Sequence, residues 1–209
     1  MVRAAPLPPD QRRAAIIAAT EPLLLARGTD VSTREIAETA GSAEGTLFRV
    51  FPTKEAVIDA VFAEVCAAAP GRAELARIDL TADLESRVAA AAAVLQRRAR
   101  RMFALIHATG YRRPGPPGRW GPNSPDRALA ISAVAAVLEP DADRLRVPPE
   151  QAAAQLAALV MSLTHPMLSG SGFCAAGEDD PGEIARLLLY GIVAEPARVP
   201  SLQTASSPC

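Results

Sequence analysis

The stretch that most constrains this chain is STREIAETAGSAEGTLFRVFPTKE, residues 32–55. Ser32 can cap a helix through its side-chain oxygen, and Glu35 stands where a capping box wants its acid. Ile36, Ala37 and Ala40 then share one helical face. Gly41 follows, where a helix ends cheaply in a left-handed residue. A second short helix over 45–50 buries Leu47 and Phe51, and a third opens at Thr53 and Lys54. Small residues at Ala37 and Ala40 let the first two helices approach across a short turn. Helix, tight turn and helix predict a helix-turn-helix, whose second helix enters the major groove of DNA.

Thr33, Ile36, Ala37, Ala40, Gly41, Gly45, Thr46, Leu47, Phe51, Lys54 and Glu55 stand at fixed spacing without a gap. In this pattern the chain resembles the tetracycline-repressor-like (TetR) family of transcriptional regulators over about its first 65 residues. Three departures are visible. Ser42 and Ala43 replace the usual valine and serine, so Ser42 or Glu44 is expected to cap the second helix. Phe48 replaces a tyrosine, and Val50 replaces an aromatic residue or histidine. No convincing strand is seen along the chain, which predicts an all-α fold of about nine helices. A helix-turn-helix head over 1–55 would join an effector-binding and dimerisation body over 56–195, with a disordered tail over 196–209.

A major-groove reader contacts bases from the N-terminal part of its second helix. The candidate DNA-binding residues are therefore Thr33, Ser42, Glu44, Gly45, Thr46, Phe48, Arg49, Val50 and Lys54. Arg49 can pair bidentately with guanine. Gly45 permits close backbone approach, and Thr46 offers a hydroxyl. Thr33 is expected both to cap its helix and to touch phosphate. Glu44 repels phosphate, so water or a cytosine amino group is the partner its charge suits. Lys54, at a helix start, can clamp one phosphate, as the matching lysine does in the family.

Composition narrows little. The chain has 209 residues, 49% hydrophobic and 22% charged, with a net charge of −1. Residues 1–55 hold seven Arg and Lys against seven Asp and Glu, so any attraction to DNA must come from arrangement. Cys66, Cys174 and Cys209 are far apart, and two histidines are too few for a zinc site, so free thiols and no metal are expected. No signal peptide and no long apolar run are seen, which predicts a cytoplasmic protein without a membrane partner. No cofactor motif, GxSxG or HExxH is present, so no enzyme is predicted. Catalysis by His107 or His165 is the weakest reading.

Along the chain, Asp10 is expected to cap a first helix that reaches Arg27 and is distorted at Pro22. A fourth helix should run over 54–69 and end at Pro70 and Gly71. Thr81 should cap a long helix over 82–110. Its run Arg97, Arg98, Arg100 and Arg101 is either a basic patch or a solvated face. Residues 111–125 form a Pro- and Gly-rich loop anchored by Trp120. Helices follow over 126–138, 150–168 and 183–193.

The family resemblance extends to the body in outline only, and implies a homodimer, a palindromic double-stranded operator and a small-molecule effector that releases it. The dimer candidates on the last two helices are Leu156, Leu159, Val160, Leu163, Ile184, Leu187 and Leu188, with intrachain core as the other reading. Met102, Phe103, Ile106, His107, Val134, Met161 and His165 could line an effector pocket with Trp120 as lid, or fill an ordinary core. A helical small-molecule-binding protein with a degenerate reader is the alternative to the repressor.

Overall fold

The computed structural model describes residues 8–110, 124–165 and 180–191. The described residues form nine α-helices and two 3-10 turns, with no strand. The arm over 1–7, Trp120 with its loop, Cys174 and the tail over 196–209 lie outside them.

Helix α1 (Pro9–Arg27) has Pro9 at its first position, where the missing N–H costs nothing. Asp10 lies in its first turn, not at the cap expected of it, because Pro8 occupies that place. The helix continues through Pro22. It stops at Gly28, whose φ of 62° suits glycine. A 3-10 turn (Gly28–Asp30) leads to α2 (Thr33–Thr39), α3 (Glu44–Val50) and α4 (Lys54–Cys66).

Helix boundaries differ from the sequence reading at several places. Helix α4 ends at Cys66, and α5 (Ala68–Leu75) runs straight through Pro70 and Gly71. A proline in a helix's first turn removes only an N–H that has no intrahelical partner, so Pro70 opens α5 and ends nothing. The Asp126 carboxylate accepts from the Ala68 N–H at 3.4 Å at that helix start. Helix α6 (Leu84–Ala108) is capped by Asp83, not Thr81, because Asp79 takes both the Thr81 N–H and hydroxyl. Ser124 caps α7 (Pro125–Leu138). Helix α8 (Pro149–Thr164) follows the second 3-10 turn (Glu139–Arg144), and α9 (Pro181–Tyr190) comes last.

Two apolar clusters result. The head cluster gathers Ile16, Leu24, Ile36, Leu47 and Phe51 with the Val57 to Val65 face of α4. The body cluster joins α6, α7, α8 and α9 through Val88, Val134, Leu138, Leu156 and Ile184. Helix α6, about 37 Å long at 1.5 Å per residue, belongs to both. Its Leu105 is fully buried in the head cluster, with Met102 and Ile106 packed beside it.

The arginine run on α6 is neither a basic patch nor a merely solvated face. Arg97 pairs with Glu74 of α5 at 2.6 Å. Arg98 donates to the Ala67 carbonyl at the α4–α5 break, crossing Gly71, where a Cβ would stand 2.8 Å from its side chain. Arg101 grips both oxygens of Glu21 on α1 at 2.6 and 2.5 Å. These cations spend their charge tying α6 to three other places in the chain. No described helix is long and apolar enough to cross a membrane.

Candidate nucleic-acid interface

The capping box at the start of α2 forms as the spacing requires. Ser32 accepts from the Glu35 N–H at 3.2 Å, and Glu35 Oε2 accepts from the Ser32 N–H at 2.9 Å. The other Glu35 oxygen pairs with Arg27 at the end of α1. Gly41, at φ 64°, makes the turn, and the Ser42 N–H donates to the Ala37 carbonyl at 2.9 Å. Leu47 and Phe51 are buried beneath α3 and hold it down. The Arg13 guanidinium sits 4.3 Å above the Phe51 ring, which joins α1 to the same point.

What α3 turns outward is Glu44, Gly45, Phe48 and Arg49, all exposed, with Thr46 and Val50 half-buried at the edges. Phe48 is 46% exposed, unusual for a large aromatic side chain on so short a helix. Arg49 donates to the Thr46 hydroxyl at 3.1 Å, which steadies its guanidinium along the helix.

Two cap expectations fail here. Ala43 is the N-cap of α3, with no side-chain cap. Ser42 cannot serve, because its hydroxyl points back to the Ala37 carbonyl at 3.4 Å. Glu44 cannot serve either, since it lies inside the helix and its carboxylate accepts from the Thr33 hydroxyl at 2.5 Å. Thr33 in turn is not the α2 cap, which is Ser32. Arg34, paired with Glu38 at 2.8 Å, holds its proton more firmly than usual. The Glu38 hydrogen bond and charge are the main causes, and Glu44 adds a smaller attraction.

Lys54 is half-buried, and its ammonium donates to the Thr29 carbonyl at 2.8 Å and the Val31 carbonyl at 3.4 Å. It pins the turn before α2 to the start of α4. An ammonium has three donors, so one remains for another acceptor. Thr53 caps α4 by accepting from the Ala56 N–H at 3.1 Å.

In the body the candidates separate. Phe103 and His165 meet edge to face at 4.6 Å. Met102 and Ile106 face the head cluster, Val134 is fully buried in the body cluster, and Met161 and His107 are exposed. Phe103 and His165 are thus the pair the fold brings into contact, and the other five described pocket candidates are spread over the two clusters and the surface. The dimer candidates also divide. Leu156, Val160 and Ile184 are buried within their own chain, which corrects their assignment to an interface. Leu159, Leu163 and Leu188 are half-buried, and Leu187 is exposed, near Tyr190 at 66% exposure. Sequence reasoning missed Thr164, whose hydroxyl is buried with no hydrogen-bond partner among the described residues. It also missed the Glu21–Arg101 tie, because partners 80 positions apart leave no local pattern.

Residues 16–61 match the family model of the bacterial regulatory proteins, tetR family. The reader lies wholly within that match. Solved structures carry the likeness beyond the head into the body. A proposed tetR-family transcriptional regulator from Mesorhizobium loti is 18% identical, with 88% of this chain and 96% of that one covered at a TM-score of 0.63. The fatty acid degradation regulator FadR from Bacillus halodurans is 15% identical, with 87% and 96% covered at 0.53. GusR from Salmonella enterica is 19% identical, with 86% and 95% covered at 0.53. At these identities the shared property is the fold. No curated protein matches the sequence. The family model covers the head, and the solved structures share the fold of the described chain.

Proposed function

We propose that this chain is a ligand-responsive repressor that binds a palindromic operator as a homodimer and is released by a small apolar or aromatic effector. The observation that carries this reading is the outward face of α3. Glu44, Gly45, Phe48 and Arg49 stand exposed on a helix whose opposite side is anchored by Leu47 and Phe51. Arg49 suits guanine, and Phe48 suits a thymine methyl group. Lys54 positions the reader and keeps one donor for a phosphate. In the dimer the two readers lie about 34–36 Å apart, one turn of DNA. Leu159, Leu163, Leu187, Leu188 and Tyr190 supply the apolar surface for pairing through α8 and α9.

The effector would lodge where Phe103 meets His165, with the Thr164 hydroxyl giving it a polar contact. It would act on the head through α6, where Leu105, two residues from Phe103, is buried in the head cluster, with a coupling of roughly 1–3 kcal/mol. Sequence selection with purified protein tests the reading. The wild type should enrich a two-fold symmetric site, and Arg49→Ala should lose about 1–3 kcal/mol and relax one base pair per half-site. Failure to enrich any sequence would favour the alternative of a helical binding protein with a degenerate reader.

A further inference from the structure

We propose that the leading edge of α3 reads a cytosine, with the Glu44 carboxylate accepting from the cytosine amino group and the Thr33 hydroxyl orienting that carboxylate. This inference rests on the operator-binding reading above and names what one position of the operator must be.

Glu44 is the first residue of α3 and is exposed. A carboxylate at a DNA surface is repelled by every phosphate, so a favourable partner must be a donor on a base edge. In the major groove only the cytosine N4 and adenine N6 amino groups donate. Adenine also presents its N7 acceptor beside N6, which a carboxylate opposes. Cytosine presents the donor alone, and acidic side chains pair with it.

The structure adds what spacing could not. The Thr33 hydroxyl donates to Glu44 Oε1 at 2.5 Å, from the first turn of a different helix. That bond occupies one carboxylate oxygen, and Oε2 takes no hydrogen bond among the described residues. It also restrains a side chain whose rotamer freedom would otherwise be lost on binding. Thr33 is thus a positioning residue, and no phosphate contact is needed to explain it. Gly45 completes the edge. A Cβ there would meet nothing within 4 Å, so the fold gives no reason for glycine inside this helix. Glycine costs a helix stability relative to alanine. An uncovered backbone beside Glu44 is what a base edge needs in order to come close.

The experiment compares sequence selection by the full-length wild type, Glu44→Gln and Thr33→Val. The wild type should enrich cytosine at one position of each half-site. Glu44→Gln keeps an oxygen for Thr33 but gains an amide donor, which matches adenine N6 and N7, so that position should switch to adenine by about tenfold. Thr33→Val should keep cytosine with weaker discrimination there and nowhere else. Gly45→Ala gives an independent reading, a higher melting temperature with weaker operator binding. If the wild type selects an operator and Glu44→Gln selects the same base at every position, Glu44 only ties α2 to α3 and the proposal is overturned. If Gly45→Ala binds as tightly as wild type, the close approach is wrong. If the wild type selects nothing, the operator-binding reading fails first and takes this one with it.

Discussion

Leu24, Ile36, Leu47, Phe51 and Phe62 fill the head, while Ala91, Ala92, Ala135, Ala152, Ala153 and Ala185 line much of the body. Among the described residues, two of the fourteen buried in the head cluster are alanine, against six of sixteen in the body cluster. Large interlocking side chains admit few alternative packings, so the head holds its shape by apolar fit. Alanines let helices come close but do little to fix their register. In the body that task falls to polar ties between distant residues. Arg87 is the clearest. Its side chain is 2% exposed, yet its guanidinium reaches the Ala82 carbonyl at 3.0 Å, the Val137 carbonyl at 2.7 Å and the Asp141 carboxylate. One cation thereby joins the start of α6 to the end of α7.

The largest expected effect tests this contrast directly. Arg87→Met should destabilise the chain by about 3–5 kcal/mol, since removing one partner strands buried groups that the other satisfied. That would equal a large apolar truncation in the head, such as Leu47→Ala at about 2–5 kcal/mol. Urea unfolding of both variants measures it. An Arg87→Met protein with an unchanged midpoint would mean the body is held by alanine packing alone, and the contrast between the regions would be lost.

The boundary between the regions offers a smaller effect. Gly28 and Gly41 both have positive φ, 62° and 64°, so alanine at either site should cost about 1–3 kcal/mol in strain, more at Gly28, whose ψ of −145° lies near a region almost reserved for glycine. Only Gly28 faces a neighbour. A Cβ there would lie 2.5 Å from the Ala108 carbonyl oxygen at the end of α6, while Gly41 looks into open space. Gly28→Ala should therefore destabilise more than Gly41→Ala and should raise hydrogen exchange in both α1 and the last turn of α6. Equal losses in the two variants would show that head and α6 yield freely where they meet.

The same contrast explains what could be read from the chain alone. Ser32 with Glu35, Gly41, Leu47 and Phe51 act on neighbours a few residues away, so their roles are visible in spacing. The exposed face of α3 followed from that local logic. The cap of α3 did not, because Thr33 and Glu44 face one another only after two helices have folded. Lys54 was placed at a helix start correctly, but its two carbonyl partners lie 25 and 23 positions earlier. In the body, Leu156, Val160 and Ile184 looked like interface residues because an apolar side chain carries no mark of which neighbour it meets. Pro70 misled for another reason: proline stops a helix from within but starts one from its first turn, and sequence alone does not say which turn it occupies.

The smallest effect concerns the local logic of the body, at the cap of α6. The Asp83 carboxylate accepts from the Ser86 N–H at 2.9 Å and from its hydroxyl at 2.7 Å. These bonds, the backbone one first, hold its pKa below the usual aspartate range. A carboxyl group whose pKa falls on folding stabilises the folded state above the unfolded value. That contribution is lost as pH falls through the lower folded value. Asparagine caps helices about as well as aspartate but carries no charge. The stability difference between wild type and Asp83→Asn should therefore be present at pH above about 4 and shrink toward zero on further acidification. Paired unfolding curves between neutral and acid pH measure it without depending on how other carboxylates titrate, since those are common to both proteins. A difference that stays constant across that range would show that Asp83 caps α6 by geometry alone, as a neutral residue would. The start of α6 would then owe its position to Arg87 and not to its cap.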